Sequence, residues 1–436
     1  MNICVIGLGR VGLPFALIIC EKGGRVIGVD KNPEVIRKIR SKIPPFQEFR
    51  LEELLQKYCG KKGHFNVTND LKKALLKSQV VVITIGTSIN NENPDLTNIL
   101  NLVNDISNAV ENVQRKLLIF KTTVPIGTTR NLTKLIEERT GLRCGKDFFV
   151  AFCPARSLEG KAIVEIETLP KIIGGMDPES SKKAAVFFRN IGGKIIIVEN
   201  PESAELIKLM DNAYRQTIFA FANDIALVAE KYGLNAYELI KAANDSYPRN
   251  NIPFPSAGVS GFCLKKDPFY LEASFKEIGK KRKFSSVWYY ARKTNDYLPI
   301  HTVDLVEQQL AGNIKGANVL VCGICYKENV DDTRFSHGIE IAHELRRRSA
   351  NVSIWDPVVS DRNPEYPMID DPKEAFRNMD AAIFTVKHDE FLRLNDSDEI
   401  FVLVSRMRTP VIVDGWGIFQ KLRDKDSTRY IGVGIK

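Results

Sequence analysis

The sequence predicts an α/β protein of two doubly wound domains joined by a long central helix and a small helical region, divided at 1–200, 201–297 and 298–436. Three observations predict it. Apolar strand-like runs alternate with helical patterns through the first part, a long unbroken helical pattern follows, and a second strand–loop–helix–strand unit comes after Pro299. At 436 residues the chain exceeds what one hydrophobic core organises. Its 44% hydrophobic and 26% charged residues are those of an ordinary globular protein, with no low-complexity stretch.

Asn2 to Ile6 reads as a buried strand, and Gly7-Leu8-Gly9-Arg10-Val11-Gly12 follows it at once and opens a helix. A second strand, Val26 to Val29, ends in Asp30. In that strand–turn–helix–strand setting the glycines have physical jobs: Gly7 for the tight turn, Gly9 for backbone approach to a pyrophosphate, Gly12 for close helix packing. The helix N-terminus favours the phosphate charge. Asp30 would accept hydrogen bonds from the adenosine ribose and repel a 2'-phosphate, so NAD is expected rather than NADP. Further buried strands are expected at Val80 to Ile85, Lys116 to Phe120, Phe148 to Phe152, Lys171 to Gly174 and Lys194 to Val198, which completes a Rossmann-like domain. Because the chain enters a strand at Asn2, no secretory leader is expected and the protein is placed in the cytoplasm. No apolar run approaches the roughly 18 residues a membrane helix needs.

Ser203 to Tyr232 reads as one long helix, with Leu206, Met210, Ala213, Phe221, Ile225 and Val228 at helical spacing. Such a helix serves either as a dimer interface or as a buried spine. Lys208 and Asn212 stand four apart on it, hence on one face. Gly258-Val259-Ser260-Gly261 allows close backbone approach beside Cys263, and Lys265, Lys266 and Asp267-Pro268 follow. The Asp-Pro pair reads as a helix N-cap with proline at N1. The last unit runs Asn318 to Cys322, Ser336 to Arg348 and Val352 to Asp356; it has Gly323 but no GxGxxG.

The eight cysteines are scattered, several of them inside apolar runs, and are expected as reduced thiols. Cys322 and Cys325 form a CxxC without a second pair, and the five histidines show no ligand spacing, so no metal is expected. The net charge of +9 sits in short clusters, Lys280 to Lys283 and Arg346 to Arg348, without interleaved aromatics. Solvated helix faces explain them; no nucleic-acid or membrane partner is expected, whereas a positive field suits pyrophosphate ligands.

Taken together, GLGRVGLP at 7–14, KTTVPIGTT at 121–129, AELIKLMDNAYR at 204–215, YPRNNIPFPSAGVSGFC at 247–263 and YKENVDDTR at 326–334 resemble the UDP-glucose/GDP-mannose dehydrogenase family, in order and over almost the whole chain. KIIGGMDPES at 171–180 and the spacing of Arg249 to Cys263 look most like the branch acting on UDP-N-acetylhexosamines, UDP-N-acetylmannosamine above all. The resemblance implies an N-terminal NAD domain, a dimer built on the central helices and a C-terminal UDP-sugar domain. It implies Cys263 as nucleophile, Lys208 and Asn212 as the oxyanion and proton-transfer pair, Asp267 as the nearby carboxylate, and Thr123 as a residue ordering water. Leu8, Arg10, Val11, Thr87, Thr123, Lys266 and Arg334 would join the glycines and Asp30 at the cofactor. Arg156, Leu158, Lys208, Asn212, Arg249, Phe254, Gly258 and Lys327 would meet the substrate, Arg249 from the neighbouring subunit.

The implied reaction is a four-electron oxidation of a C6 alcohol to a carboxylate through aldehyde, thiohemiacetal and thioester, with the Cys263 thiol activated by cations such as Lys208. Two departures from the family pattern sit beside that chemistry. Pro154 is followed by Ala155 where the family carries a glutamate proposed as base for thioester hydrolysis, leaving Glu159 as a substitute only if the loop is rearranged. Ser260-Gly261-Phe262-Cys263 stands where the branch usually reads glycine, glycine, histidine, cysteine. Either Asp267, Lys208 and Thr123 organise the hydrolytic water unaided, or the enzyme is slow or stalled, or the chain is a nucleotide-sugar-binding protein without turnover. A one-step hydroxyacid dehydrogenase of related fold would need no thiol.

Overall fold

The computed structural model describes residues 2–60, 64–360, 365–425 and 427–435, the side chains of Glu277 and Arg282 excepted. The chain forms two compact units, Met1–Asp211 with Phe269–Ile278, and Asn212–Pro268 with Gly279–Lys436.

The first unit is built on β1 (Asn2–Ile6), β2 (Arg25–Val29), β3 (Phe65–Thr68) and β4 (Val80–Ile83), a small hairpin β5 (Ser88–Asn90) and β6 (Asn93–Asp95), then β7 (Leu117–Phe120), β8 (Phe149–Phe152), β9 (Lys171–Gly175) and β10 (Ile195–Val198). Apart from the hairpin these make one sheet in the order β10-β9-β8-β7-β4-β1-β2-β3, parallel except where β8 meets β9. Side chains alternate across it: Ile3 and Val5 enter one core with Leu13, Phe15 and Phe188, while Cys4 and Ile6 enter the other with Val81, Ile83 and Phe120. A sheet covered on both faces accounts for strands that read as continuous apolar runs. The chain reverses direction of winding between β1 and β4, and the Gly7 turn lies at the carboxyl end of β1, where open α/β sheets bind ligands.

The second unit carries β11 (Asn318–Cys322), β12 (Asn351–Trp355), β13 (Ala381–Phe384), β14 (Val411–Asp414) and β15 (Arg429–Gly432) in the all-parallel order β12-β11-β13-β14-β15. Here too alternate residues divide: Val319 and Val321 face one core, Leu320 and Cys322 the other. Cys322 is therefore a packed strand residue, and burial pushes its thiol well up.

Two helices differ from expectation. Pro268 lies inside the helix Phe262–Arg282 rather than at its start, so Asp267 is not its N-cap. The helix instead begins after Gly261, which at φ +95° turns the chain, and the Asp267 carboxylate is drawn into contacts of its own. Pro299 lies inside the helix Val287–Gln309, so that helix begins before the proline rather than after it. The helix Pro201–Lys231 leaves Leu206, Met210, Tyr214, Phe221 and Val228 exposed along one side. Those residues do not form a buried spine within the chain. No described helix is long and apolar enough to cross a membrane.

Candidate active site

The first unit supplies a dinucleotide cradle. Gly7 has φ +93°, and a Cβ on Gly12 would stand 1.8 Å from the Gly7 carbonyl oxygen, so the helix reaches the turn only with glycine there. A Cβ on Gly9 would meet nothing within 4 Å, which leaves open the side from which a phosphate approaches. Asp30 is half-buried; its Oδ2 accepts from Leu8 N–H at 2.7 Å and its Oδ1 from Asn32 N–H at 2.8 Å, which fixes the carboxylate at the end of β2. Thr87 Oγ1 donates to the Thr123 carbonyl at 2.6 Å, bringing together two residues expected at the cofactor. The guanidinium of Arg10 is engaged with Glu159 at 3.0 Å and lies 5.2 Å from the Phe46 ring. Glu159 is thus held at the glycine loop. Arg156 pairs with Asp211 at 2.9 Å, and Leu158 N–H donates to Glu165.

The segment 121–129 is tied to the long helix by a residue that sequence reasoning missed. Glu205 Oε2 accepts from Gly127 N–H at 2.6 Å, and its Oε1 accepts from Thr129 N–H at 2.8 Å and from the Thr129 hydroxyl at 2.6 Å. Burial raises its pKa to about 7 against these hydrogen bonds. The spacing Glu205, Lys208, Asn212 places all three on one helix face, a signal legible in the sequence. Lys208 is buried, and Lys121, sunk between the Phe15 and Phe188 rings, has its pKa lowered by desolvation first and by the Lys208 charge among lesser causes.

The second unit supplies the thiol. Cys263 is the second residue of the helix Phe262–Arg282 and is exposed, whereas every other cysteine is wholly or partly buried. Asp267 lies one turn further along the same face. Its Oδ2 accepts from Asn212 Nδ2 at 2.6 Å, and its Oδ1 is 3.5 Å from Lys266 Nζ; all three side chains are buried. The loop before the thiol is pinned along its length: Ser256 N–H donates to Asn223 at 2.9 Å, the Arg292 guanidinium donates to the Val259 carbonyl at 3.4 Å, and Gly261 N–H donates to the Phe335 carbonyl at 3.3 Å. Gly258 packs against His337 and Pro299.

Arg249 is exposed and lies against Tyr247, Phe254 stacks on Tyr237 at 5.4 Å, Lys327 is half-buried, and Arg334 forms a bidentate pair with Asp332, Nε to Oδ1 at 2.9 Å and Nη2 to Oδ2 at 2.6 Å. Cys263, Asn212, Asp267 and Lys266 belong to one unit, Lys208 and Thr123 to the other. Folding also joins what spacing had kept apart: ligand atoms of Cys325, Asp356 and His388 lie within 4.8 Å of one another and could hold a metal ion. Asp356, however, already takes backbone N–H groups on both oxygens, Ile324 and Cys325 on one, Val358 and Val359 on the other.

Three family domains match this chain in order: the UDP-glucose/GDP-mannose dehydrogenase NAD binding domain over residues 1–192, its central domain over 202–297 and its UDP binding domain over 320–421. A UDP-N-acetyl-D-mannosamine dehydrogenase of Pyrococcus horikoshii is 32% identical over 425 residues, 97% of this chain and 96% of the relative. The chain belongs to the UDP-glucose/GDP-mannose dehydrogenase family. A solved UDP-N-acetyl-D-mannosamine dehydrogenase from Pyrococcus horikoshii superposes with a TM-score of 0.90, covering 100% of this chain and 99% of that one. An NDP-N-acetyl-D-galactosaminuronic acid dehydrogenase of Ralstonia solanacearum is 29% identical over 97% of each. The chain is an NAD-dependent UDP-sugar dehydrogenase. The open Gly9 position, the Gly7–Gly12 contact and the fixed Asp30 carboxylate fit NAD, whose role when bound is to accept hydride.

Proposed function

We propose that this member of the family oxidises the C6 alcohol of a UDP-N-acetylhexosamine, UDP-N-acetyl-D-mannosamine foremost, to the uronate through a Cys263 thioester. The observation that carries the reading is the exposed Cys263 thiol at a helix N-terminus, with Asp267 on the same face bound to Asn212. A helix N-terminus favours thiolate, the form that attacks. As the C6 hydride leaves, the hydroxyl proton passes to the Lys208 side chain in its unprotonated form while the Asn212 amide donates to the oxygen, giving the aldehyde and a charged Lys208. The Cys263 sulfur then bonds to C6 and the aldehyde oxygen becomes a thiohemiacetal hydroxyl. Loss of the second hydride and that hydroxyl proton gives the thioester. Water adds to the thioester carbonyl, the C–S bond breaks, and carboxylate, thiol and one proton are released.

Asp267, Lys208 and Thr123 orient that water in this reading, because Ala155 offers no carboxylate and Glu159 is held by Arg10. The same two facts favour a second reading, in which the thioester forms and is hydrolysed slowly. The exposed side of the helix Pro201–Lys231 supports a homodimer, and the three family matches over 1–192, 202–297 and 320–421 support a division into NAD-binding, central and UDP-sugar-binding parts at 1–200, 201–297 and 298–436. Nothing in the charge pattern supports nucleic acid as a partner.

The test is NADH formed per sugar with excess NAD and UDP-N-acetylmannosamine, UDP-N-acetylglucosamine or UDP-glucose, repeated with Cys263→Ser. Sustained turnover at two NADH per UDP-N-acetylmannosamine, lost in the variant, is expected. A burst that stops at the first turnover establishes the slow reading, and no NADH from any sugar sinks both.

A further inference from the structure

Both departures of the Cys263 loop from the branch pattern are met by residues of one distant segment, 335–337. Phe262, where the branch carries histidine, packs on Phe335 with ring centroids 5.4 Å apart. Ser260, where the branch carries glycine, bonds to His337 twice. The Ser260 oxygen accepts from His337 backbone N–H at 2.7 Å, and its hydroxyl faces His337 Nδ1. The tautomer follows from the far side of the ring. Nε2 lies 2.5 Å from the Thr385 carbonyl oxygen, which can only accept, so Nε2 carries the hydrogen and Nδ1 accepts from the Ser260 hydroxyl.

His337 is buried, and both ring nitrogens are occupied, so its imidazole is not placed to exchange protons with a substrate. What it is attached to is rigid. Its helix, His337–Arg347, begins against the second glycine turn, where a Cβ on Gly338 would stand 2.5 Å from the Gly323 carbonyl oxygen. Thr385 hydrogen-bonds that same carbonyl. One residue beyond Ser260, Gly261 at φ +95° presses on the Tyr326 ring and sets the start of the helix that presents Cys263.

We infer that Ser260 and His337 form a pin through which the UDP-binding domain sets the orientation of Cys263. They are positioning residues, the chain's own answer to a motif that lacks the branch's glycine and histidine. The inference rests on the reading of Cys263 as nucleophile, but the pin can be measured without turnover. The pin predicts that freeing Ser260 lets the helix start swing, weakens its field at the thiol and misplaces the sulfur.

The experiment uses the full-length protein and compares Ser260→Ala, His337→Ala, their double variant and His337→Asn, whose side-chain oxygen stands where Nδ1 stood. Cys263 carbamidomethylation by iodoacetamide, followed by peptide mass spectrometry across pH, is read beside kcat and the KM values for NAD and the UDP-sugar. Alkylation at pH 7 is expected to slow by about three-fold or more in each single alanine variant, with kcat lowered and the KM for NAD unchanged. The double variant is expected to be no worse than either single one, because both remove the same bond, and His337→Asn is expected to restore the wild-type profile. Wild-type alkylation profiles in Ser260→Ala, or fully additive effects, overturn the pin. If His337→Ala does not fold, Ser260→Ala, which removes one oxygen atom, decides alone. If wild-type protein oxidises no sugar, the proposed function fails while the alkylation comparison still judges the pin.

Discussion

The two sheets carry the same turn, open in one and closed in the other. After β1, Gly7 has φ +93°, Leu8 N–H bonds to Asp30 at 2.7 Å, and Gly12 brings its helix against the Gly7 carbonyl. After β11, Gly323 also has φ +93°, Ile324 N–H bonds to Asp356 at 2.6 Å, and Gly338 brings its helix against the Gly323 carbonyl. Thr84 and Thr385 bond those carbonyls from the adjacent strands. The surroundings differ. Asp30 takes one backbone donor on each oxygen, whereas the Asp356 side chain is buried against His388 and takes two on each. The first turn can present a carboxylate to a ribose; the second has spent its carboxylate on the fold. Identical local geometry therefore gives a ligand site only where the acceptors remain accessible.

The largest effect expected from breaking this comparison comes at the helix contacts. Gly12→Val should abolish NAD binding by titration, since its Cβ has no room against Gly7 and the turn must deform. Gly338→Val should instead lower the thermal midpoint of the second unit, leaving the cradle of the first intact. Next come the carboxylates. Asp30→Ala should raise KM for NAD about ten-fold and narrow the preference over NADP, while Asp356→Ala should leave KM for NAD unchanged and cost about 2–4 kcal/mol in denaturant unfolding, because buried N–H groups lose their acceptor. Equal effects on KM would dissolve the distinction between open and closed turns.

The smallest effect is in pH dependence, where the two units pull in opposite directions. Glu205 is raised to about 7 by burial, so the unfolded chain releases that proton first and stability falls as pH rises from 4.5 through 7. His337 is lowered to about 4, chiefly by burial and also by the Lys265 and Arg292 charges, so its contribution is complete above 6.5 and is lost as pH falls towards 4. The two slopes oppose each other between about pH 4.5 and 6.5, so thermal melts across that range should rise more steeply with pH in Glu205→Gln and fall with pH in His337→Asn. An unchanged profile in either variant removes that residue from the account.

Much of the first cradle was legible because its residues lie within one strand–turn–helix–strand unit: Gly7, Gly9, Gly12 and Asp30 announce themselves by spacing. The second turn was not, because the residue equivalent to Gly12 is displaced to Gly338 by an intervening loop that also carries Lys327 and Arg334. Asp267 misled for a related reason. Asp-Pro is a good helix start locally, yet the turn at Gly261 and the contact with Asn212 carry the helix through Pro268.

By itself the sequence determined the alternation of strands and helices, the glycine turn of the NAD-binding domain and, through motifs in order, the family. These depend on local periodicity and on residue types that few backbones tolerate. Only the tertiary structure decided that Glu205 ties the 121–129 segment to the long helix, that Glu159 is held by Arg10, and that His337 reaches Ser260. Each is a contact between residues far apart in the chain, and hydrogen bonds of that kind leave no period in sequence because either partner can come from any element that folding brings within about 3 Å.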